Sequence, residues 1–168
     1  MGFKKIDAAK LDENAIRLVG SDWMLITAGR PEKFNTMTAN WGGMGYLWNK
    51  PVCFCVVRPT RHTFGFIDRE ERFTLSFFDK KKHKKALDYC GAHSGREVDK
   101  VKETGLTPVF EDNAIYFSEA RIVMVCRKIY SQDLDPSRFL DPGIEKFYPK
   151  KDYHRVFIGE IASCLSKK

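Results

Sequence analysis

Apolar and polar positions fall into short β-branched or aromatic runs separated by turn residues. WMLITAG (23–29), NTMTANWGG (35–43), VCFCVVR (52–58) and RFTLSFF (72–78) each read as a strand. The run AIYFSEARIVMVCRKIYSQ (114–132) predicts a short strand followed by a long one, which needs a sheet that bends. HRVFIGEIASCL (154–165) predicts the last strand. Helical signals are fewer. Asp12 ahead of Ala15, Ile16, Leu18 and Val19 predicts a short capped helix, and Thr60 or Thr63 is placed to cap another through Asp68. Asp79 opens a third, DKKKHKKALDYC, with Ala86, Leu87 and Cys90 turned inward. A loop and a short helix beginning at Glu97 or Asp99 follow. Three prolines and a glycine between 135 and 152 predict an irregular flap.

Many strands, few helices and no regular βαβ alternation predict a mainly β protein, an antiparallel barrel with peripheral α-helices. With 168 residues, no repeat and no linker, a single domain over 1–168 is expected. No apolar run is long enough to span a bilayer, and the N-terminal residues carry neither a signal-peptide h-region nor a myristoylation pattern. The five cysteines, Cys53, Cys55, Cys90, Cys126 and Cys164, form no CxxC, and four sit among apolar neighbours. Buried reduced thiols in a cytoplasmic protein are expected in preference to disulfides or metal ligands, and no zinc site, because the histidines are not spaced as ligand pairs.

The net charge is +7, much of it from Lys80, Lys81, Lys82, Lys84 and Lys85. These lysines suit either a nucleic-acid patch or a solvated helix face. No nucleic-acid motif accompanies them, so no nucleic-acid partner is expected.

Candidate chemistry concentrates in two stretches. In NTMTANWGGMGYLWNKP (35–51), Asn35, Thr36, Thr38 and Asn40 can hydrogen-bond a heterocycle edge, and glycines allow close approach. Trp41 can cover an aromatic ring, whereas Trp48 is expected in the core. In VVRPTRHTF, a strand ends at Arg58 and turns into a helix start bearing Thr60, Arg61, His62 and Thr63, a combination suited to a phosphate or to plain capping with surface arginines.

Together with CGAHSGREVDK (90–100) and YHRVFIGEI (153–161), these stretches resemble, in order and over nearly the whole chain, the flavin reductase-like FMN-binding split-barrel family, in particular its flavoredoxin-like branch. The resemblance implies a six-stranded Greek-key split barrel forming a homodimer with FMN near the subunit interface. It implies that Asn35, Thr36, Met37, Thr38, Ala39, Asn40 and Trp41 line the isoalloxazine and that Arg58, Thr60, Arg61, His62 and Thr63 hold the phosphate. Ser94, Arg96 and Lys100 are implied as further contributors, and His154 as the residue acting at the redox site. The expected activity is an FMN-dependent NAD(P)H oxidoreductase, with NADH or NADPH as co-substrate and its C4 about 3–3.5 Å from flavin N5. The alternatives are a flavoredoxin-type electron carrier, which passes electrons to a redox protein, and, remotely, a basic nucleic-acid-binding barrel. No GxGxxG follows a strand, so no Rossmann domain is expected.

Overall fold

The computed structural model describes residues 2–167. Its centre is one antiparallel sheet built from β1 (Lys4–Ile6), β2 (Met24–Arg30), β3 (Lys33–Ala39), β4 (Gly42–Leu47), β5 (Lys50–Val57), β6 (Arg72–Phe77), β9 (Ile122–Asp133) and β10 (Arg155–Ser166). The strand order is β3-β2-β6-β9-β10-β5-β4, with β1 added alongside β10. A separate hairpin pairs β7 (Pro108–Glu111) with β8 (Ala114–Phe117). Four α-helices lie around the sheet: α1 (Ala15–Arg17), α2 (His62–Arg69), α3 (Lys80–Ala92) and α4 (Lys100–Thr104).

β3 and β4 are the two ends of the strand order, yet they are consecutive in the chain, joined through Asn40 and Trp41. The chain therefore bridges the split of the barrel at this link. The single strand expected over 35–43 is broken there. Gly42 has φ 153°, and a Cβ on it would lie 2.4 Å from the Phe54 carbonyl oxygen, so the backbone turns where only glycine fits.

β2 and the first half of β9 are apolar on both faces because both faces are covered there. Met24, Ile26, Met124 and Cys126 point into the barrel core, while Leu25, Val123 and Val125 pack outward with Leu87, Cys90 and Phe117. This two-sided burial explains why their sequences read as continuous apolar runs. β10 crosses β9 with two register shifts, which let so long a strand bend with the barrel.

α3 starts at Asp79, whose carboxylate accepts from the Lys81 amide, and buries Leu87 and Cys90 as expected. α4 starts at Asp99, one of the two residues expected, which accepts from the Val101 and Lys102 amides. Other expectations are corrected. The first helix is capped by Asn14, not Asp12, because Asn14 Oδ1 reaches the Arg17 amide at 2.9 Å. α2 begins after Arg61 with no side-chain cap, and Thr63 is buried instead of capping. Trp48 is not in the core. It forms a two-residue hairpin turn with Asn49, both at positive φ, and its indole is 56% exposed. β1 and β7 were not foreseen; each is short and largely solvent-facing.

Candidate functional site

The link between β3 and β4 forms one wall of a cleft of about 300 Å³. Met37, Thr38, Ala39, Asn40 and Trp41 supply that wall, Arg58 and Arg61 approach from beyond the end of β5, and His154 stands immediately before β10. Val56 and Gly91 complete the lining. Eight of the sequence-identified residues therefore meet in one place.

β3 is an edge strand, so half of its backbone groups lack a strand partner. Lys100 Nζ donates to the Thr36 carbonyl at 2.9 Å, which shows that Thr36 turns its backbone away from β2. Thr38, two residues on, turns its N–H and C=O to the same open edge. Its hydroxyl donates to the Leu87 carbonyl at 2.5 Å, fixing β3 against α3.

The cations have different commitments. Arg58 donates from Nη1 to both Asp152 carboxylate oxygens at 2.9 Å and from Nη2 to the Phe147 carbonyl at 2.7 Å. Itself a residue that lines the cleft, it thus ties the 135–152 flap to the cleft lining, and the hydrogen bond holds Asp152 below the usual carboxylate range. Arg61 donates to the Gly91 carbonyl at 2.9 Å and has no carboxylate partner among the described residues. Burial, then the neighbouring Arg58, lowers its pKa.

His154 is 8% exposed, with Nδ1 2.8 Å from the Tyr148 hydroxyl. Its ring lies 5.1 Å from that of Trp41, which meets Phe147 edge-on at 5.5 Å. Burial, then Arg58, lowers the His154 pKa to about 4, so the imidazole is neutral at physiological pH.

The remaining sequence-identified residues do not line this cleft. Asn35, Thr36, Arg96 and Lys100 border a second cleft of about 530 Å³. Asn35 Nδ2 donates to Thr63 Oγ1 at 2.7 Å, and a Cβ on Gly95 would fall 1.9 Å from Asn35 Oδ1. Lys100 also donates to the Cys90 carbonyl at 2.7 Å, and burial, with Arg61 nearby, lowers its pKa to about 8. Arg96 Nη1 donates to the Thr60 carbonyl at 3.2 Å, and its amide donates to Ser94 Oγ at 3.2 Å. His62 packs edge-on to Phe66, and burial and then the cations Arg96, Lys33, Lys100 and Arg69 lower its pKa. The SGREVDK element thus braces the strand that lines the first cleft.

Sequence reasoning missed Gly91, Phe147, Tyr148 and Asp152. Gly91 carried a signal, a glycine near a helix end, where a Cβ would sit 3.4 Å from that of Thr38. Phe147 and Asp152 carried none, since their contacts to Trp41 and Arg58 are long-range, and the Tyr148 contact to His154, six residues on, follows no regular helix or strand spacing. Among the described residues no group of His, Cys, Asp and Glu could hold a metal ion, and no helix is long and apolar enough to cross a membrane.

Residues 16–167 match the family model described as "Flavin reductase like domain". Among solved structures, the chain is similar to flavoredoxin of Desulfovibrio vulgaris (Miyazaki F), with 22% identity over 98% of this chain and 77% of that one and a TM-score of 0.68. It is also similar to an FMN-binding domain of a flavin reductases-like enzyme from Shewanella baltica OS155 (17% identity, 98% and 76% covered, TM-score 0.68). A third similar structure is the Streptomyces globisporus C-1027 NADH:FAD oxidoreductase in complex with NAD and FAD fragments (16% identity, 87% and 74% covered, TM-score 0.64). No curated protein sequence matches. These likenesses bear out the mainly β split-barrel fold.

Proposed function

The chain belongs to the flavin reductase-like domain family, and from that premise we propose that it is an FMN-binding, NAD(P)H-dependent oxidoreductase whose cofactor site is the cleft between Met37–Trp41, Arg61 and His154. The carrying observation is the donor set of that cleft. Open-edge backbone groups at Thr38 suit the polar edge of a heterocycle, while Met37, Ala39, Val56 and Trp41 offer apolar walls to its rings. Arg61, half-buried and without a carboxylate among the described residues, suits an anionic tail. The residues present therefore fit a flavin mononucleotide.

FMN, when bound, would supply the capacity to accept and donate a hydride. The protein's part is binding and electrostatics. N–H groups at the β3 edge would stabilise negative charge gathering on the heterocycle. Arg61 would hold the phosphate. His154, neutral and fixed by Tyr148, would present Nε2 to the ring system or to a nicotinamide. The flap, fastened by Arg58, would limit water at the site.

The flap also favours a second reading, a flavoredoxin-type carrier that keeps its FMN and exchanges electrons with a redox protein. The solvent-facing aromatics Tyr46, Trp48, Phe54 and Tyr130 support a homodimer as part of this proposal, and the five buried free thiols support a reducing, cytoplasmic setting.

The test is an absorption spectrum of the purified protein followed by anaerobic NADH and NADPH. Flavin bands bleached by either nucleotide support the oxidoreductase; bands bleached by neither support the carrier. Colourless protein that takes up no added FMN defeats both.

A further inference from the structure

A second groove, of about 290 Å³, opens beside the cofactor cleft on the α3 side. It shares Thr38, Ala39, Asn40 and Gly91 with that cleft, and Trp23 and Leu87 form its own walls. Asp88 stands at its rim, with its carboxylate 2.5 Å from Lys84 Nζ, so its charge is already paired. The two hollows therefore meet at the wall where the isoalloxazine is placed above.

Trp23 is held there at visible cost. It ends a five-residue π-helical turn, Leu18–Asp22, and has φ 69° and ψ 169°, a backbone region that is essentially glycine's own. π-turns and such strained residues cluster at functional sites. Lys80 Nζ lies 3.6 Å from the indole centroid and donates to the Ser21 carbonyl at 2.5 Å. This ammonium pins the indole in place and sets a fixed positive charge behind the groove wall.

We propose that this groove is the second-substrate subsite of the flavin cleft and takes a single-ring electron acceptor of the quinone class. The assignment rests on the flavin reading above. The volume suits one substituted ring and is too small for a dinucleotide. The indole and Ala39 offer apolar faces to a ring, and the Asn40 amide can meet a carbonyl oxygen at the shared boundary. A positive charge behind the wall favours a ligand that becomes more negative as it reacts. The quinone would gain two electrons and one proton as a hydride equivalent from the reduced cofactor, which would return to its oxidised form, and a second proton from solvent, so that it would leave as hydroquinone.

The probe is duroquinone, whose four methyl groups block addition of thiols to the ring. Its binding to oxidised, FMN-loaded protein is read from the line width of its methyl NMR signal, without turnover. Trp23→Ala is expected to weaken duroquinone about tenfold, and Lys80→Met several-fold, with FMN affinity within about twofold of the parent in both. Unchanged duroquinone affinity in the two variants overturns the proposal. So does a parallel loss of FMN, which would make the groove part of the flavin's own pocket. Should Trp23→Ala fail to fold, Lys80→Met decides alone. Protein that takes up no FMN, yet binds duroquinone in a Trp23-dependent way, would remove the flavin reading and keep the groove.

Discussion

The Tyr148 hydroxyl and His154 Nδ1 meet at 2.8 Å, joining the flap to the cleft-lining residue that immediately precedes the last strand. With His154 buried beside Arg58, protonating the ring would place two cations together in a water-poor pocket, and its pKa falls to about 4. The unfolded chain, with an ordinary histidine pKa near 6.5, takes up the proton first as pH drops. Stability is therefore lost as pH falls from about 6.5 to 4, and the loss is complete below 4. His154→Gln removes this dependence. Urea midpoints at pH 7 and pH 5 should fall further for the parent than for the variant; equal falls would show that His154 is not the group responsible. His154→Gln is also expected to slow reduction of bound flavin without releasing it, and an unchanged rate would remove His154 from the redox site.

The phosphate reading separates Arg61 from Thr63. Arg61 reaches the cleft, whereas Thr63 is buried and holds Asn35 at 2.7 Å. Arg61→Met should weaken FMN at least about tenfold while leaving riboflavin nearly untouched, since a charge-assisted contact to phosphate is worth about 1.5–3 kcal/mol. Thr63→Val should weaken both ligands alike, by loosening the strand that lines the ring. Titrations of the two flavins distinguish these outcomes, and equal losses for Arg61→Met would sink the phosphate assignment.

Much of this arrangement was legible in the sequence. Strand positions followed from the alternating and apolar runs, and Asp79 and Asp99 announced their helices because an N-cap is a local event. Placement of 37–41, Arg58, Arg61 and His154 in one cleft followed from the family resemblance, since no local pattern brings residue 154 beside residue 41. The link between β3 and β4 was not legible, because NTMTANWGG alternates smoothly through a point where the chain changes edges. Trp48 misled because a large aromatic is ordinarily buried, while here a turn needing positive φ at two residues places it outside. Lys100 read as a ligand contact. Its bonds to the Thr36 and Cys90 carbonyls also join α4 to its neighbour α3 and to β3, and no spacing rule reveals the link to β3.

That bracing role of Lys100 has a measurable signature. Lys100→Met leaves two inward-facing carbonyls without their donor, at roughly 1–3 kcal/mol each. A clear drop in urea midpoint at pH 7 is expected, with weaker binding of FMN and riboflavin alike. Burial brings the ammonium's pKa down to about 8 from 10.5. Between those values the unfolded chain holds the proton more firmly, so Lys100 stabilises least below pH 8 and more as pH rises toward 10.5. The gap between parent and variant midpoints should therefore widen from pH 8 to pH 10; a narrowing gap would contradict the buried-cation account.

The β4–β5 hairpin provides the test of self-association. Tyr46 and Trp48 are 73% and 56% exposed, and Trp48 meets the half-covered Tyr130 at 6.1 Å between ring centroids. Trp48 in the two-residue turn and Tyr46 in the strand leading into it expose apolar area on a backbone with little conformational freedom to lose on burial, which favours an interface. Neither side chain supports the barrel core, so the paired change Tyr46→Ser and Trp48→Ser should leave the monomer's fold and circular dichroism intact. Light scattering after gel filtration should show the parent as a dimer and the variant as a monomer. Because Trp41 at the start of this segment lines the cleft, loss of the dimer should also raise the rate at which FMN dissociates. A parent that is monomeric at tens of micromolar would rule out the homodimer. A variant that stays dimeric would move the interface to another face and free the hairpin from that role.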